Sequence, residues 1–217
     1  VYDQELNIIE SVQQEYPLNY PKDGWVEVEP TKLLKSVYET LDPILKQSFE
    51  IACIGITNQR ETTLVWDSES GETIYDGIVW QDRRTADICN SLKDQNLETL
   101  IKQKTGLLLD PYFSATKISW ILDNVDGARE KAIAGKLRFG TVDTFLLWHF
   151  SDGVLHKTDI TNASRTNLFN IYTREWDQEL LDIFNVPLSM LPEVCSSDAS
   201  FGSLARNGST IPITGMI

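Results

Sequence analysis

Residues 54–62 read Ile-Gly-Ile-Thr-Asn-Gln-Arg-Glu-Thr, and they complete a short apolar run that begins at Phe49. A run of this length, bounded by polar residues, is typical of a strand that is buried on both faces of a sheet. Ligands of open α/β sheets bind at the carboxyl ends of the strands. The sequence therefore predicts a ligand site where this strand leads into Arg60 and Glu61.

Arg60 and Glu61 have complementary hydrogen-bonding groups. The guanidinium of Arg60 offers forked donors, and the carboxylate of Glu61 offers two acceptor oxygens. Side by side, they can hold the neighbouring hydroxyls of a polyol in a fixed orientation. From the residues alone, an exposed Arg/Glu pair in a loop is the favoured explanation, and the ligand site stays open as the alternative.

Trp80 ends the second strand of a predicted hairpin. Residues 63–66 form its first strand, residues 67–72 a turn that contains glycine, and residues 73–80 the return. The segment 80–84, Trp-Gln-Asp-Arg-Arg, again combines an aromatic ring with cations. Trp80 can form an apolar wall for the carbon edge of a small polar ligand, or it can pack in the core.

Residues 110–114, Asp-Pro-Tyr-Phe-Ser, predict a turn into a helix. Asp110 suits the cap, and Pro111 suits the first helical position. Tyr112 can then extend its hydroxyl into a cleft, or it can be buried.

Residues 140–144, Gly-Thr-Val-Asp-Thr, lead into another predicted helix. Asp143 is a candidate general base by residue type. A helix N-cap role for Thr141 or Asp143 explains the same residues, and we favour that interpretation.

The rest of the chain alternates predicted strands with predicted helices, which indicates an α/β domain with a largely covered sheet. Residues 1–12 predict a hairpin, residues 16–29 an irregular loop and residues 210–217 a strand. A helix is predicted from Pro30, with Pro43 expected to kink or end it. Further helices are predicted near residues 85–104, 113–124, 142–149 and 178–184.

Composition excludes several classes of function. The formal net charge of −13 would repel a polyanion, so a nucleic-acid partner is not expected. Three scattered cysteines favour a reducing cytoplasm over a disulfide framework. No apolar stretch approaches the roughly 18 residues that a membrane span requires. His149 and His156 lack ligand-like companions and are predicted to be surface or packing residues rather than zinc ligands.

Five segments, in order, resemble the glycerol kinases, a branch of the sugar kinase family whose domains share an actin-like, ribonuclease H-like core. The segments are residues 54–62, residues 78–85 (Ile-Val-Trp-Gln-Asp-Arg-Arg-Thr), residues 110–117 (Asp-Pro-Tyr-Phe-Ser-Ala-Thr-Lys), residues 139–144 (Phe-Gly-Thr-Val-Asp-Thr) and residues 161–166 (Thr-Asn-Ala-Ser-Arg-Thr). The resemblance runs nearly from end to end.

This resemblance implies a mixed sheet flanked by helices and a substrate-binding role for four residues. Arg60 and Glu61 are expected to bind glycerol hydroxyls, Tyr112 to add a hydroxyl contact and Trp80 to line the pocket. Asp143 remains a helix-start residue. Residues 1–217 are expected to form the N-terminal substrate-binding domain, incomplete at both ends, with the first strand and a C-terminal domain missing.

The resemblance also implies where the remaining machinery lies. A phosphate-binding hairpin is expected before Val1 and the catalytic base just after Ile217, so no catalytic, cofactor or metal residue is expected within this chain. The intact protein is expected to phosphorylate glycerol with ATP and Mg²⁺ in the cytoplasm, and a homo-oligomer stays open. The isolated chain is expected to be inactive. The alternatives are a kinase for another small polyol and a noncatalytic folded domain or binding module.

Overall fold

The computed structural model describes residues 1–217. The α-helices are α1 (Pro30–Leu45), α2 (Ala86–Asp94), α3 (Glu98–Thr105), α4 (Ser114–Asn124), α5 (Ala128–Ile133), α6 (Val142–Phe150), α7 (Ile160–Ala163) and α8 (Gln178–Phe184). A 3-10 helix covers Leu188–Met190. The strands are β1 (Leu18–Asn19), β2 (Glu27–Val28), β3 (Ile54–Ile56), β4 (Leu64–Asp67), β5 (Gly77–Ile78), β6 (Leu137–Gly140), β7 (Lys157–Asp159), β8 (Phe169–Asn170), β9 (Glu175–Trp176), β10 (Glu193–Cys195), β11 (Ser203–Arg206) and β12 (Ser209–Met216).

Strand β4 separates two hydrophobic cores. Leu64 and Trp66 point into one core, together with residues of β12 and α6, whereas Val65 points into the other, together with residues of α4 and α8. The alternation follows from the two-residue period of a strand. Each buried side chain of this size contributes roughly 1.5–3 kcal/mol, so both faces of β4 stabilise the fold.

The strands form short ladders of both directions. β4 pairs antiparallel with β6, and β2 pairs antiparallel with both β1 and β5. β3 runs parallel to β12, which in turn pairs antiparallel with β11, and β7 runs parallel to β10. The prediction of a mixed α/β architecture is confirmed.

Strand β3 is shorter and more exposed than the sequence predicts. It covers only residues 54–56, and Ala52, Cys53 and Gly55 are exposed. The prediction of a strand buried on both faces is therefore wrong for β3, whose one ladder is with β12. The description of a strand buried on both faces fits β4 instead, because β4 has an apolar core on each face.

The predicted helix over residues 85–104 is in fact two helices. Asn96 adopts a positive φ of 60°. The N–H groups of Asn96 and Leu97 donate to the carbonyls of Lys93 and Leu92. This is the Schellman arrangement, in which a left-handed residue satisfies the last carbonyls and ends a helix. The chain then turns and begins α3.

Other boundaries differ in smaller ways. Helix α1 continues through Pro43 and ends two residues later, at Leu45. Pro43 has no N–H, so one backbone bond is missing from the last part of the helix. The predicted loop at 16–29 contains β1 and β2, and the predicted hairpin at the start of the chain has one bridge, between Tyr2 and Ile8. None of the helices has the length and hydropathy that a membrane-spanning helix needs.

Candidate functional site

An open hollow of about 380 Å³ lies beyond the carboxyl end of β3. Its walls come from four parts of the chain that are separate in sequence. The lining residues are Asn58, Gln59, Arg60, Glu61, Trp80, Tyr112 and Arg165. All four residues that the sequence analysis singles out for ligand binding therefore lie around one hollow.

Glu61 is the buried anion of this hollow. Its side chain is only 3% exposed, and Oε1 accepts a hydrogen bond from Nε of Arg165 at 2.6 Å. Oε2 has no hydrogen-bond partner within the chain and is left for a ligand. The backbone of Glu61 has a φ of 63°. This conformation is uncommon for a long side chain and typical of functional sites.

Arg60 is anchored on one edge of its guanidinium. Nε donates to Oδ1 of Asn162 at 3.0 Å, and Nη2 approaches Oγ of Thr161 at 3.4 Å. Nη1 has no partner within the chain. Arg60 is exposed, and a guanidinium carries five N–H donors, so donors remain available for a ligand.

Trp80 and Tyr112 form the aromatic side of the hollow. Their ring centroids are 5.7 Å apart, and Trp80 is 39% exposed. The Tyr112 hydroxyl and the Trp80 indole N–H make no hydrogen bond within the chain, so both are free to meet a polar ligand. The rings present carbon faces beside these polar tips, which suits a ligand with a carbon backbone and hydroxyl groups.

Tyr112 is held by a turn that precedes α4. Oδ1 of Asp110 accepts the backbone N–H of Tyr112 at 2.9 Å and a bond from Arg83 at 2.8 Å. Helix α4 begins only at Ser114, so the prediction that Asp110 caps it and Pro111 opens it is wrong. Asp110 caps the turn, and the turn presents Tyr112 to the hollow.

Asn58 joins the strand end to helix α6. Its Oδ1 accepts the backbone N–H of Asp143 at 3.0 Å, and its Nδ2 donates to Oγ of Thr141 at 2.9 Å. The predicted N-cap position of Thr141 is confirmed. The Thr141 hydroxyl donates to the carboxylate of Asp143 rather than accepting a backbone N–H, and the amide oxygen of Asn58, at a distant strand end, accepts the backbone N–H instead.

Asp143 is fully buried in the first turn of α6, as the sequence predicts for a helix-start residue. Its oxygens accept bonds from Thr141, Thr158 and Asn162. Burial raises the pKa of its carboxyl above the usual range, while the bonds from Thr141 and Thr158 act against that shift. Asp143 does not line the hollow, which argues against a role as general base.

Both histidines pack as predicted. Burial lowers the pKa of His156 to about 4. Its Nε2 lies 2.8 Å from the carbonyl of Phe139, and its ring contacts Trp66 and Trp148 edge on. His149 packs against Phe145.

Sequence reasoning assigned no role to three residues that hold the site. They are Lys117, Asn162 and Arg165. All three lie in segments that carry the family resemblance, at 110–117 and 161–166. Their place in these segments was the one sequence feature that could have indicated a role at the site. Spacing along the chain gave no indication of their partners.

A second hollow of about 410 Å³ lies along β3 and β12. Its lining is mainly backbone, apolar and hydroxyl groups, with Asp198 as the one charged side chain. Of these two hollows, the one at Arg60 and Glu61 is where several charged and aromatic groups converge. We therefore take the latter as the candidate site.

Comparison with known proteins identifies the family. The profile of the FGGY family of carbohydrate kinases, N-terminal domain, matches residues 1–215. The chain belongs to the FGGY family of carbohydrate kinases. The sugar kinase resemblance of the sequence is confirmed. Across the whole chain, this FGGY domain is 53% identical to the glycerol kinases of Shewanella frigidimarina and of Burkholderia vietnamiensis, and it covers 44% of each.

Solved structures of the family have the same fold. The crystal structure of Plasmodium falciparum glycerol kinase with ADP superposes with a TM-score of 0.95 at 36% identity. It is matched over the full length of this chain and 45% of its own. Gluconate kinase from Lactobacillus acidophilus matches with a TM-score of 0.85 at 22% identity, over 99% of this chain and 44% of its own. The predicted fold class is confirmed, and the chain spans less than half the length of these relatives.

Proposed function

We propose that the complete protein is a glycerol kinase, which transfers the terminal phosphoryl group of ATP to glycerol and forms sn-glycerol 3-phosphate. Residues 1–217 supply its substrate-binding side. The observation that carries this proposal is the convergence of Arg60, Glu61, Trp80 and Tyr112 on one hollow. The glycerol kinases that are 53% identical to the chain support the same substrate.

The free groups of the hollow match the chemistry of a three-carbon polyol. Oε2 of Glu61 accepts a hydrogen bond from one hydroxyl, and the free guanidinium N–H groups of Arg60 donate to a neighbouring hydroxyl oxygen. Tyr112 contributes a further hydroxyl contact, and the ring of Trp80 covers the carbon edge. Held in this way, the polyol presents one terminal hydroxyl for attack on a phosphoryl group.

ATP and Mg²⁺ belong to this proposal as the phosphoryl donor and its metal. Mg²⁺ supplies charge neutralisation on the transferring phosphates. Among residues 1–217, no three His, Cys, Asp or Glu side chains group in a way that suits a metal ion. We therefore assign no metal ligand within this chain and derive no step through the ion. The part played by these residues is to bind and orient the acceptor. A cytoplasmic location, consistent with three unpaired cysteines, stays a prediction, as does a homo-oligomer.

A kinase for another small polyol is the second candidate. The observation that favours it is the fold shared with the gluconate kinase and with a xylulose kinase from the same species, which also has a TM-score of 0.85. At 22% identity, both structures indicate a shared fold and do not indicate the substrate. A noncatalytic binding module is the remaining alternative.

A coupled ADP-release assay on the complete gene product tests these candidates together. Glycerol, xylulose and gluconate are compared as acceptors with ATP and Mg²⁺, and glycerol is expected to give the highest kcat/KM. An Arg60→Ala variant, purified in parallel, controls for contaminating host kinase. If another acceptor gives the highest kcat/KM, that acceptor is the substrate and the assignment of glycerol is wrong. No turnover above the Arg60→Ala control with any acceptor would favour the binding module.

A further inference from the structure

Lys117 is a buried lysine that lies directly behind the candidate site. It belongs to α4, and its side chain has no exposed surface. Nζ donates to the backbone carbonyl of Glu61 at 3.1 Å and to the backbone carbonyl of Tyr112. These acceptors lie 56 and five residues away along the chain. One ammonium group therefore joins the two segments that supply the carboxylate and the phenol of the hollow.

A structural role alone explains this residue poorly. Lys117 forms no ion pair, and its two bonds go to backbone carbonyls. Burial lowers the pKa of its ammonium to about 7, although Glu61, Asp82 and Asp110 act against that shift. Burying a cation without an ion pair is costly, and an apolar side chain of similar volume would fill the same space at lower cost.

The backbone that Lys117 holds is itself unusual. Glu61 has a positive φ, an unfavourable conformation for a residue other than glycine that persists only where the surroundings enforce it. The carbonyl of Glu61 receives Nζ of Lys117 and, at 3.4 Å, Oγ of Ser114. Both donors come from α4, a rigid helix of 11 residues. The helix thus supports the peptide that directs the Glu61 carboxylate into the hollow.

We propose that Lys117 is a positioning residue, which fixes the Glu61 carboxylate relative to the Tyr112 hydroxyl and so sets the geometry in which the polyol binds. This inference rests on the proposed function, because it assigns the polyol to these two residues. Loss of the ammonium lets the two segments shift independently. Misplacement of binding groups by about 1 Å costs as much as 100-fold in rate.

The test compares Lys117→Met, which keeps the length of the side chain without a donor, with Lys117→Arg, which keeps donors. Lys102→Met, on the exposed face of α3, is the matched control. Kinetics of the complete protein give KM for the acceptor and for ATP separately, and calorimetry gives Kd for glycerol. Lys117→Met is expected to raise the acceptor KM and the glycerol Kd about tenfold and to leave the ATP KM within about twofold. Lys117→Arg is expected to recover part of the loss, and Lys102→Met to change nothing.

The effects on the acceptor KM, the ATP KM and kcat distinguish a positioning role from a loss of stability. Partial unfolding removes active molecules, so it lowers kcat and leaves both KM values unchanged. That pattern, or equal rises in both KM values, would overturn the inference. Failure of both Lys117 variants to fold would also overturn it, since Lys117 would then serve the stability of the domain. Assays of the unsubstituted protein test the proposed function independently. The Lys117 variants are then compared with it on whichever acceptor it phosphorylates. If it phosphorylates none, the proposed function fails, and an unchanged glycerol Kd in Lys117→Met would still overturn the inference.

Discussion

Nε of Arg165 lies 2.6 Å from Oε1 of Glu61 and forms an ion pair between residues that are 104 positions apart. Glu61 is almost completely buried, whereas the Arg165 side chain is 35% exposed. The guanidinium also lies 5.8 Å from the ring centroid of Tyr112 and 5.1 Å from that of Phe113. Arg165 therefore contacts two of the proposed substrate-binding residues, and it occupies Oε1 of Glu61 while Oε2 has no hydrogen-bond partner within the chain.

Glu61→Gln is expected to weaken the use of glycerol far more than the use of ATP. The substitution keeps the shape of the side chain and removes a charged acceptor that we assign to the polyol. Hydrogen bonds to charged groups contribute roughly 1.5–3 kcal/mol, so kcat/KM for glycerol should fall tenfold or more. Steady-state kinetics with each substrate varied in turn give the comparison, and Glu69→Gln in the exposed turn after β4 is the control. Equal losses for both substrates would indicate a structural role.

Arg165→Met is expected to lower kcat/KM for glycerol about tenfold in the parent protein and much less in a Glu61→Gln background. The ion pair is the reason, because removing the arginine matters less once its anion is gone. A double-mutant cycle measures this coupling, which should be on the order of 1–3 kcal/mol. Arg165→Lys keeps the charge and loses the Nε donor, so its kcat/KM for glycerol should lie between that of the parent and that of Arg165→Met. Additive effects of the two substitutions would mean that Arg165 acts independently of Glu61.

The sequence predicted helices α1, α4, α6 and α8 and missed the two shortest α-helices, for a physical reason. Helices α1, α4 and α6 bury one face or more over nine or more residues, which is enough for a periodic pattern. Helices α5 and α7 have six and four residues and show no period of their own. Their positions follow from packing against the rest of the chain, which the sequence pattern does not record.

The candidate site was also predictable in part: its ligand-facing residues were predicted, and most of the residues that hold them were not. Arg60, Glu61, Trp80 and Tyr112 carry recognisable motifs, and the resemblance to sugar kinases predicted that they serve one ligand. Apart from the local contacts of Tyr112 with Asp110 and Lys117, the groups that hold them were not predictable, because their contacts join segments that are far apart in sequence. The Arg60–Asn162 contact spans 102 residues. Contacts of that range depend on the folded topology rather than on any local pattern.

Asn162→Leu is expected to destabilise the protein and to weaken glycerol binding together. The buried amide of Asn162 accepts from Arg60 and donates to Asp143 at 3.1 Å. Leucine is close in size but leaves the buried carboxylate with one donor fewer, at a cost of about 1–3 kcal/mol in unfolding free energy. It also frees the Arg60 guanidinium from its anchor, so the acceptor KM should rise several-fold. Denaturant unfolding and acceptor kinetics measure the two effects.

Asn124→Leu, at the exposed end of α4, is the matched control for Asn162→Leu. It should leave the acceptor KM unchanged and the unfolding free energy within about 0.5 kcal/mol. An Asn162 variant that loses stability with an unaltered acceptor KM would show that Arg60 does not depend on this anchor.

His156 is expected to make the folded chain sensitive to acid. Burial lowers its pKa from 6.5 to about 4, helped by the nearby charge of Arg138. Between these two values, the unfolded chain binds a proton that the folded chain does not bind. Unfolding free energy therefore rises with pH in this window and is lost as the pH falls from about 6.5 to 4. A shift of this size corresponds to at most about 3 kcal/mol.

Chemical denaturation at pH 7 and at intervals down to pH 4 measures this effect in the parent and in His156→Gln. Glutamine keeps a donor for the carbonyl of Phe139 and does not titrate. The variant should be less stable than the parent at pH 7, because it packs less well against Trp66 and Trp148. Its stability should then fall less steeply below pH 6.5, so the two curves converge toward pH 4. Parallel curves would show that carboxylates, rather than His156, account for the acid sensitivity of this domain.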